Sequence, residues 1–163
     1  VVDKIDQLSK SVKASLAISL HACNDDLRTE LMPINRKYPL AVLKRSLLDY
    51  QKDTGDMVTI EYILIKDKNC SIAHARQLVR FLHGLKAKIN LIPFNAHPGL
   101  EYERPSDQDI EGFQKFLSKR GYPSPVRYSK GLEVSAACGQ LAAKVKEQVD
   151  AVPSRKAAIN LSS

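Results

Sequence analysis

The sequence predicts an α/β fold with parallel strands, and three observations carry that prediction. Short apolar runs rich in β-branched residues alternate with amphipathic segments. The order is strand, helix, strand, helix, strand, helix, strand, and capping residues and glycines bracket the helical segments. Right-handed crossovers then place the strands parallel in one sheet with helices outside, leaving a barrel and a doubly wound sheet both open.

Ser15 to Leu20 is a short apolar run that reads as a buried strand. Asn24, Asp25 and Asp26 supply an N-cap and first-turn acids for a short helix through Leu31, which Pro33 stops. Pro39 is expected in the first turn of a second helix, with Leu40, Leu43, Leu47 and Tyr50 on one face and Lys44, Arg45 and Asp49 on the other. Gly55 ends it. Met57 to Ile65 is a strand by composition. Ser71 caps a helix with the stripe Ile72, Ala75, Leu78, Val79, Leu82, Leu85, and Gly84 lies near its end. Lys88 to Phe94 is the next strand. Ser106 to Lys119 is an amphipathic helix through Ile110, Phe113, Phe116 and Leu117, closed by Gly121. Pro125 to Tyr128 reads as a last short strand, and the small, polar tail 153–163 is expected to fray.

At 163 residues, 44% apolar and 26% charged, the chain suits one ordinary globular domain rather than a disordered segment. A net charge of +7 makes nucleic acid the first partner to consider. Three widely spaced cysteines do not form a disulfide framework and point to a reducing cytoplasm. No apolar run approaches the roughly 20 residues of a membrane span, so no membrane association is expected. The opening Val1, Val2, Asp3, Lys4, Ile5 starts inside what reads as helix, as a piece of a longer protein would.

In parallel α/β sheets chemistry gathers past the carboxyl ends of the strands. Those loops carry Ser19, His21, Cys23 and Asn24; Lys66, Asp67 and Asn69; Pro93, Asn95, His97, Pro98 and Gly99; and Arg127, Ser129, Lys130, Gly131 and then Cys138. His21 suits a base or a metal ligand, but a single histidine there is more often a positioned hydrogen-bond donor. Asn95 suits a ligand contact and a turn equally. Arg127 and Lys130 are a phosphate clamp or a solvated face, and Arg36, Lys37, Lys44 and Arg45 are assigned to an outer helix and its approach. His21, Cys23, Cys70 and Cys138 do not have zinc-site spacing. Cys138 sits in Ala136-Ala137-Cys138-Gly139-Gln140-Leu141, whose small neighbours let a reacting partner approach the sulfur. The alternative is a core stripe of Cys138, Leu141, Val145 and Val149, toward which these residues alone lean.

Five motifs in order change that balance. Ser19-Leu20-His21-Ala22, Asn24-Asp25, Pro33-Ile34-Asn35-Arg36-Lys37-Tyr38, Lys88-Ile89-Asn90-Leu91-Ile92-Pro93-Phe94-Asn95 and Ala136 to Leu141 together resemble the carboxy-terminal half of the radical S-adenosylmethionine (SAM) adenine-C2 RNA methyltransferases. The resemblance implies the second half of a partial TIM-like (β/α) barrel over 1–128, a methyl-carrying cysteine segment and helix over 129–152, and a flexible tail over 153–163. It implies that Ser19, Leu20 and His21 line the SAM pocket, that Asn95 contacts SAM, and that Cys138 is the S-methylcysteine intermediate. In the family's route one SAM methylates that sulfur. A second SAM, cleaved reductively at a [4Fe-4S] cluster, yields the radical that activates the methyl group, and a second cysteine releases product as a disulfide forms.

The implied substrates are an adenine of 23S rRNA and an adenine of tRNA, with an electron donor feeding the enzyme. The family's CxxxCxxC cluster motif, second cysteine, general base and Gly-Glu pair are expected upstream of Val1. Cys23, Cys70 and Cys138 lack the cluster's spacing, so this segment is expected to bind no cluster, to be inactive alone and to self-associate through an exposed barrel edge. Cys23, Phe94 and Ala96-His97 depart from the usual Pro, Trp and Pro-Phe of the family. A sister group methylates adenine carbon 8, but Pro33 to Tyr38 sides with the C2 group. The remaining alternative is a non-catalytic basic α/β module that binds RNA by charge.

Overall fold

A computed structural model describes Ile5, 16–96 and 101–128 of the chain. Three strands, β1 (Ala17–Ser19), β2 (Val58–Leu64) and β3 (Ala87–Pro93), form one parallel sheet in the order β1-β2-β3. Between and after them run α1 (Asp25–Leu31), a 3₁₀ turn (Pro33–Arg36), α2 (Leu40–Thr54), α3 (Ile72–Leu82) and α4 (Asp107–Ser118).

Period-two alternation along the strands decides which way the sheet faces. Ile18, Leu20, Val58, Ile60, Tyr62, Leu64, Ala87, Ile89 and Leu91 point to one side, into a core completed by Leu43 and Leu47 of α2, Leu78 and Leu82 of α3, and Phe113 and Leu117 of α4. All three long helices therefore cover the same face. Sequential strand order with helices on one side is the geometry of a barrel section and decides against the doubly wound alternative, in which helices cover both faces. Tyr62 and Phe113 meet across this layer with ring centroids 5.4 Å apart.

Local chemistry accounts for the boundaries. Asn24 Oδ1 accepts from Leu27 N at 2.8 Å and starts α1; the ring of Pro33 keeps Met32 extended and stops it. Pro39 proves to be the cap position of α2 rather than part of its first turn. Because proline has no capping side chain, Asp25 Oδ1 accepts from Leu40 N at 2.9 Å in its place. Gly55, with φ 73°, turns the chain out of α2 in a conformation that a β-carbon disfavours. Ser71 and Ser106 cap α3 and α4 as expected.

Two expectations fail for visible reasons. Ile72, assigned to the core stripe of α3, is 43% exposed, because the surface it meets on α4 is Gly112, which offers no side chain to pack on. Residues 125–128 form a single bridge, Val126 to Leu91, instead of a strand. Pro123 and Pro125 accept from Ile89 N and Leu91 N, and Arg127 N donates to Leu91 O, but Pro125 has no N–H for the rung between. The segments 129–152 and 153–163, Cys138 included, lie outside the described residues. No helix among the described residues is long and apolar enough to cross a membrane.

Candidate functional site

The site begins where β1 stops. After three residues β1 turns away at His21, whose φ of 61° is left-handed, and β2 continues beyond it. Leu20 N still reaches Glu61 O at 3.0 Å, but the next edge groups of β2 have lost their strand. Side chains replace it: His21 Nδ1 accepts from Ile63 N at 3.1 Å, while Asn69 Nδ2 donates to Ile63 O at 2.6 Å and its Oδ1 accepts from Ile65 N at 2.7 Å. Asn69 Nδ2 also donates to His21 O at 2.8 Å, so the two residues brace each other. Buried backbone groups need partners, and these two side chains finish the ladder.

His21 thus accepts through Nδ1, which is taken up by Ile63 N and so serves there as neither a general base nor a metal ligand. Burial, followed by the Arg28 charge, lowers its pKa to about 3. The ring is neutral, with its hydrogen on Nε2.

Arg28 holds the turn from below. It is 4% exposed; Nε donates to Leu20 O at 3.2 Å and Nη1 to Asn35 Oδ1 at 2.6 Å and Tyr38 O at 3.3 Å. Asn35 Nδ2 passes the connection to Asp25 Oδ1 at 2.9 Å and Thr29 Oγ1 at 2.9 Å. The Pro33 to Tyr38 motif therefore has a physical meaning: a proline-started turn delivers Asn35 to a buried arginine. Burial lowers the pKa of Arg28, and the Asp25 charge offsets part of that.

The sheet face opposite the helices has two zones. Toward the carboxyl ends, Ile63, Ile65, Ile92 and Phe94 join Ala22, Leu31, Met32 and Tyr102 in a second apolar cluster. One row earlier the parallel register sets Ser19 beside Glu61 and Glu61 beside Asn90, all half-buried. Ser19 Oγ donates to Glu61 Oε2 at 3.4 Å, and Asn90 Oδ1 is buried with no hydrogen-bond partner. Asn95 lies five residues beyond Asn90, about 16 Å along an extended chain. Ser19 thus closes β1 in this row, and Asn95 follows the carboxyl end of β3. Leu20 puts its side chain into the helix-side core and His21 is fully buried, so among the described residues both shape the turn.

Lys66 pairs with Glu103 at 2.6 Å, Asp67 takes a left-handed φ of 56°, and Arg127 is exposed at the far edge of β3. Arg36, Lys37 and Arg45 are exposed on the outer helix and its approach, and Lys44 lies over the Phe81 ring. Burial pushes the Cys23 thiol up to about 12 and also raises Cys70. His97, Pro98, Gly99, Ser129, Lys130, Gly131 and Cys138 lie outside the described residues. Sequence reasoning missed Glu61 and Asn90, although a charged and an amide side chain inside otherwise apolar parallel strands were a readable signal. It named Asn69 and Asn35 without the partners that explain them, and Arg28 not at all.

No family model matches the chain. Against known proteins it is 45% identical over 151 residues to the dual-specificity RNA methyltransferase RlmN of Alcanivorax borkumensis, covering 91% of this chain and 40% of that protein. It is 50% identical over 133 residues to RlmN of Campylobacter jejuni, covering 82% and 37% respectively. The chain belongs to the RlmN family of radical SAM methyltransferases. It spans about two fifths of the length of these relatives. A solved radical SAM methyltransferase from Sphaerobacter thermophilus superposes with a TM-score of 0.79 at 47% identity, covering 86% of this chain and 41% of that one. A domain of pyruvate-formate lyase-activating enzyme from Bacteroides vulgatus, at 16% identity and a TM-score of 0.62, shares the fold.

Proposed function

We propose that this chain is the second barrel half and methyl-carrying segment of a cytoplasmic radical SAM enzyme that methylates carbon 2 of adenine in 23S rRNA and tRNA. The observation that carries this reading is the 45 to 50% identity, over most of the chain, to proteins named as dual-specificity RNA methyltransferases.

SAM is assigned to the open sheet face and its carboxyl end. The described residues fit it: the Ser19 hydroxyl, an Asn90 carbonyl that is buried without a partner, and Asn95 after β3 offer polar contacts, while Leu20 and His21 fix the turn between them. Bound SAM supplies the methyl group and, with an electron donor and a [4Fe-4S] cluster, the radical that activates it. The described residues do not fit the cluster. No group of three or more His, Cys, Asp or Glu among them is placed to hold a metal. The resemblance to this family supports assigning the cluster to other residues of the full-length protein, with this segment inactive alone and self-associating through its exposed barrel edge.

Cys138 carries the methyl group. An adenine ring carbon is too weak a nucleophile to take a methyl from SAM directly, and a thiolate is a strong one, so a covalent carrier separates the two demands. The net charge of +7 suits a polyanionic substrate.

The test uses the full-length protein, reconstituted anaerobically with iron, sulfide, SAM and a reductant, on a 23S rRNA fragment and on tRNA. Digested RNA yields 2-methyladenosine, and the Cys138 peptide gains the mass of one methyl; both signals vanish in Cys138→Ala. Production of 8-methyladenosine moves the protein to the sister group. RNA binding with no methyl transfer and an unmodified Cys138 replaces the enzyme reading with the RNA-binding module.

A further inference from the structure

The row Ser19–Glu61–Asn90 is out of character for its surroundings. Strands of a parallel sheet covered on both sides are apolar nearly throughout, and the next inner-face positions of β2 and β3, Ile63 and Ile92, follow that rule. The preceding pair on this face, Thr59 and Lys88, is polar and Lys88 is exposed, so Glu61 and Asn90, at matching register, are the last polar row and the one that has left solvent. Both are acceptors with capacity to spare. The Ser19 contact of 3.4 Å is long for a hydroxyl donating to a carboxylate, which closes to roughly 2.5–2.7 Å when the bond is strong. The Asn90 carbonyl oxygen has given up water without gaining a donor. Folded proteins keep few such groups, and each calls for a cause.

Neighbouring strands lie about 4.8 Å apart, so the two acceptors are spaced to receive one compact group that carries several N–H or O–H donors. Negative charge on Glu61 favours a cation or a polarised hydroxyl pair. We infer that Glu61 and Asn90 are an acceptor pair for a donor-bearing end of SAM, either the ribose diol or the α-ammonium. This rests on SAM being the ligand of this face. Glu61 takes the stronger bond, Asn90 Oδ1 takes the second, and Ser19 orients the Glu61 carboxylate.

The pair is testable because its two members respond differently from structural residues. Asn90→Leu replaces a carboxamide whose buried oxygen has no donor with an apolar side chain of similar size, so the free full-length protein keeps or raises its urea midpoint. The same variant weakens binding of S-adenosylhomocysteine, measured by calorimetry, by about tenfold. A merely structural asparagine would not separate the two readouts in this way. Glu61→Gln weakens the same ligand by about tenfold or more, the loss expected for a bond to a charged group.

A second probe, 5′-methylthioadenosine, keeps the diol and lacks the ammonium. Variants that weaken both probes assign the diol; variants that weaken only S-adenosylhomocysteine assign the ammonium. If Glu61→Gln and Asn90→Leu leave both affinities unchanged while Ser19→Ala or Asn95→Ala lowers them, the acceptor pair is wrong and the SAM reading stands. If the wild-type protein binds neither probe, both fall together.

Discussion

Asn69 is the residue whose removal the structure prices most directly. It is fully buried, and its three hydrogen bonds, at 2.6 to 2.8 Å, go to main-chain groups at the end of β2 and at the His21 turn. Asn69→Ala strips Ile63 O, Ile65 N and His21 O of the side chain that replaces the missing strand. A buried polar group left unpaired costs about 1–3 kcal/mol, so three of them cost up to about 3–9 kcal/mol before the turn relaxes, against a total of about 5–15 kcal/mol for a typical domain. A loss of about 3–5 kcal/mol is expected, read as a lower midpoint at unchanged slope in equilibrium urea unfolding.

Asn69→Asp sharpens the test. Its carboxylate still accepts from Ile65 N, but its second oxygen then faces Ile63 O and His21 O, two carbonyls that need a donor. The deficit at neutral pH is at least that of the alanine variant. It shrinks as pH falls, because a protonated carboxyl in the fold regains the donor and its pKa is raised above the unfolded value. An alanine variant within about 0.5 kcal/mol of wild type, or an aspartate deficit that does not change with pH, refutes the reasoning.

His21 gives a second pH signature. Its pKa is held at about 3 in the fold and lies near 6.5 in the unfolded chain, so between these values the unfolded state binds the extra proton. Its contribution is complete above about pH 6.5 and declines as pH falls toward 3, by up to about 1.4 kcal/mol per unit. His21→Asn keeps an acceptor for Ile63 N and tolerates a left-handed φ; urea unfolding of that variant shows a shallower pH slope. Cys23 and Cys70 hold their protons well above neutral pH, so iodoacetamide labelling at pH 7.5 followed by peptide mass spectrometry modifies both slowly. Rapid labelling at Cys138 then stands clear of them, and a Cys23 rate equal to that of a free thiol contradicts the burial argument. Arg28→Met leaves Leu20 O and Asn35 Oδ1 without their donor and lowers the urea-derived stability by about 2–4 kcal/mol, whereas Arg45→Met, on an exposed pair, changes it by less than about 0.5 kcal/mol.

The elements were legible because their signals are local. Asn24, Ser71 and Ser106 cap, Gly55, Gly84 and Gly121 take the positive φ that ends helices, and the stripes of α2 and α4 fall where periodicity puts them. Ile72 and residues 125–128 misled because their fate depends on partners far along the chain, Gly112 in one case and the donor requirements of β3 in the other. The site was legible as loops and a resemblance, but not as bonding. Nothing near His21 in sequence announces that β2 will outrun β1, and so nothing there shows that a histidine and an asparagine 48 positions apart must complete a ladder together. Arg28 looked like one more basic residue on a basic chain.

These two outcomes divide the polar groups of the sheet into unlike sets. At the end of β1, Arg28, Asn35, His21 and Asn69 have closed bonding and therefore hold a left-handed turn that is unfavourable for most side chains. One row back, Glu61 and Asn90 are carried on regular, well-registered strands, yet their acceptors are under-used. A fold selected only for stability has no reason to keep that second set, because an apolar pair at the same positions would pack into the adjoining Ile63–Ile92 layer. Rigid, satisfied support beside unsatisfied acceptors is the arrangement that lets a ligand be held without reorganising its receptor. It places the binding determinants on the strands themselves, with the turn at His21 setting where β1, and the Ser19 hydroxyl on it, must stand.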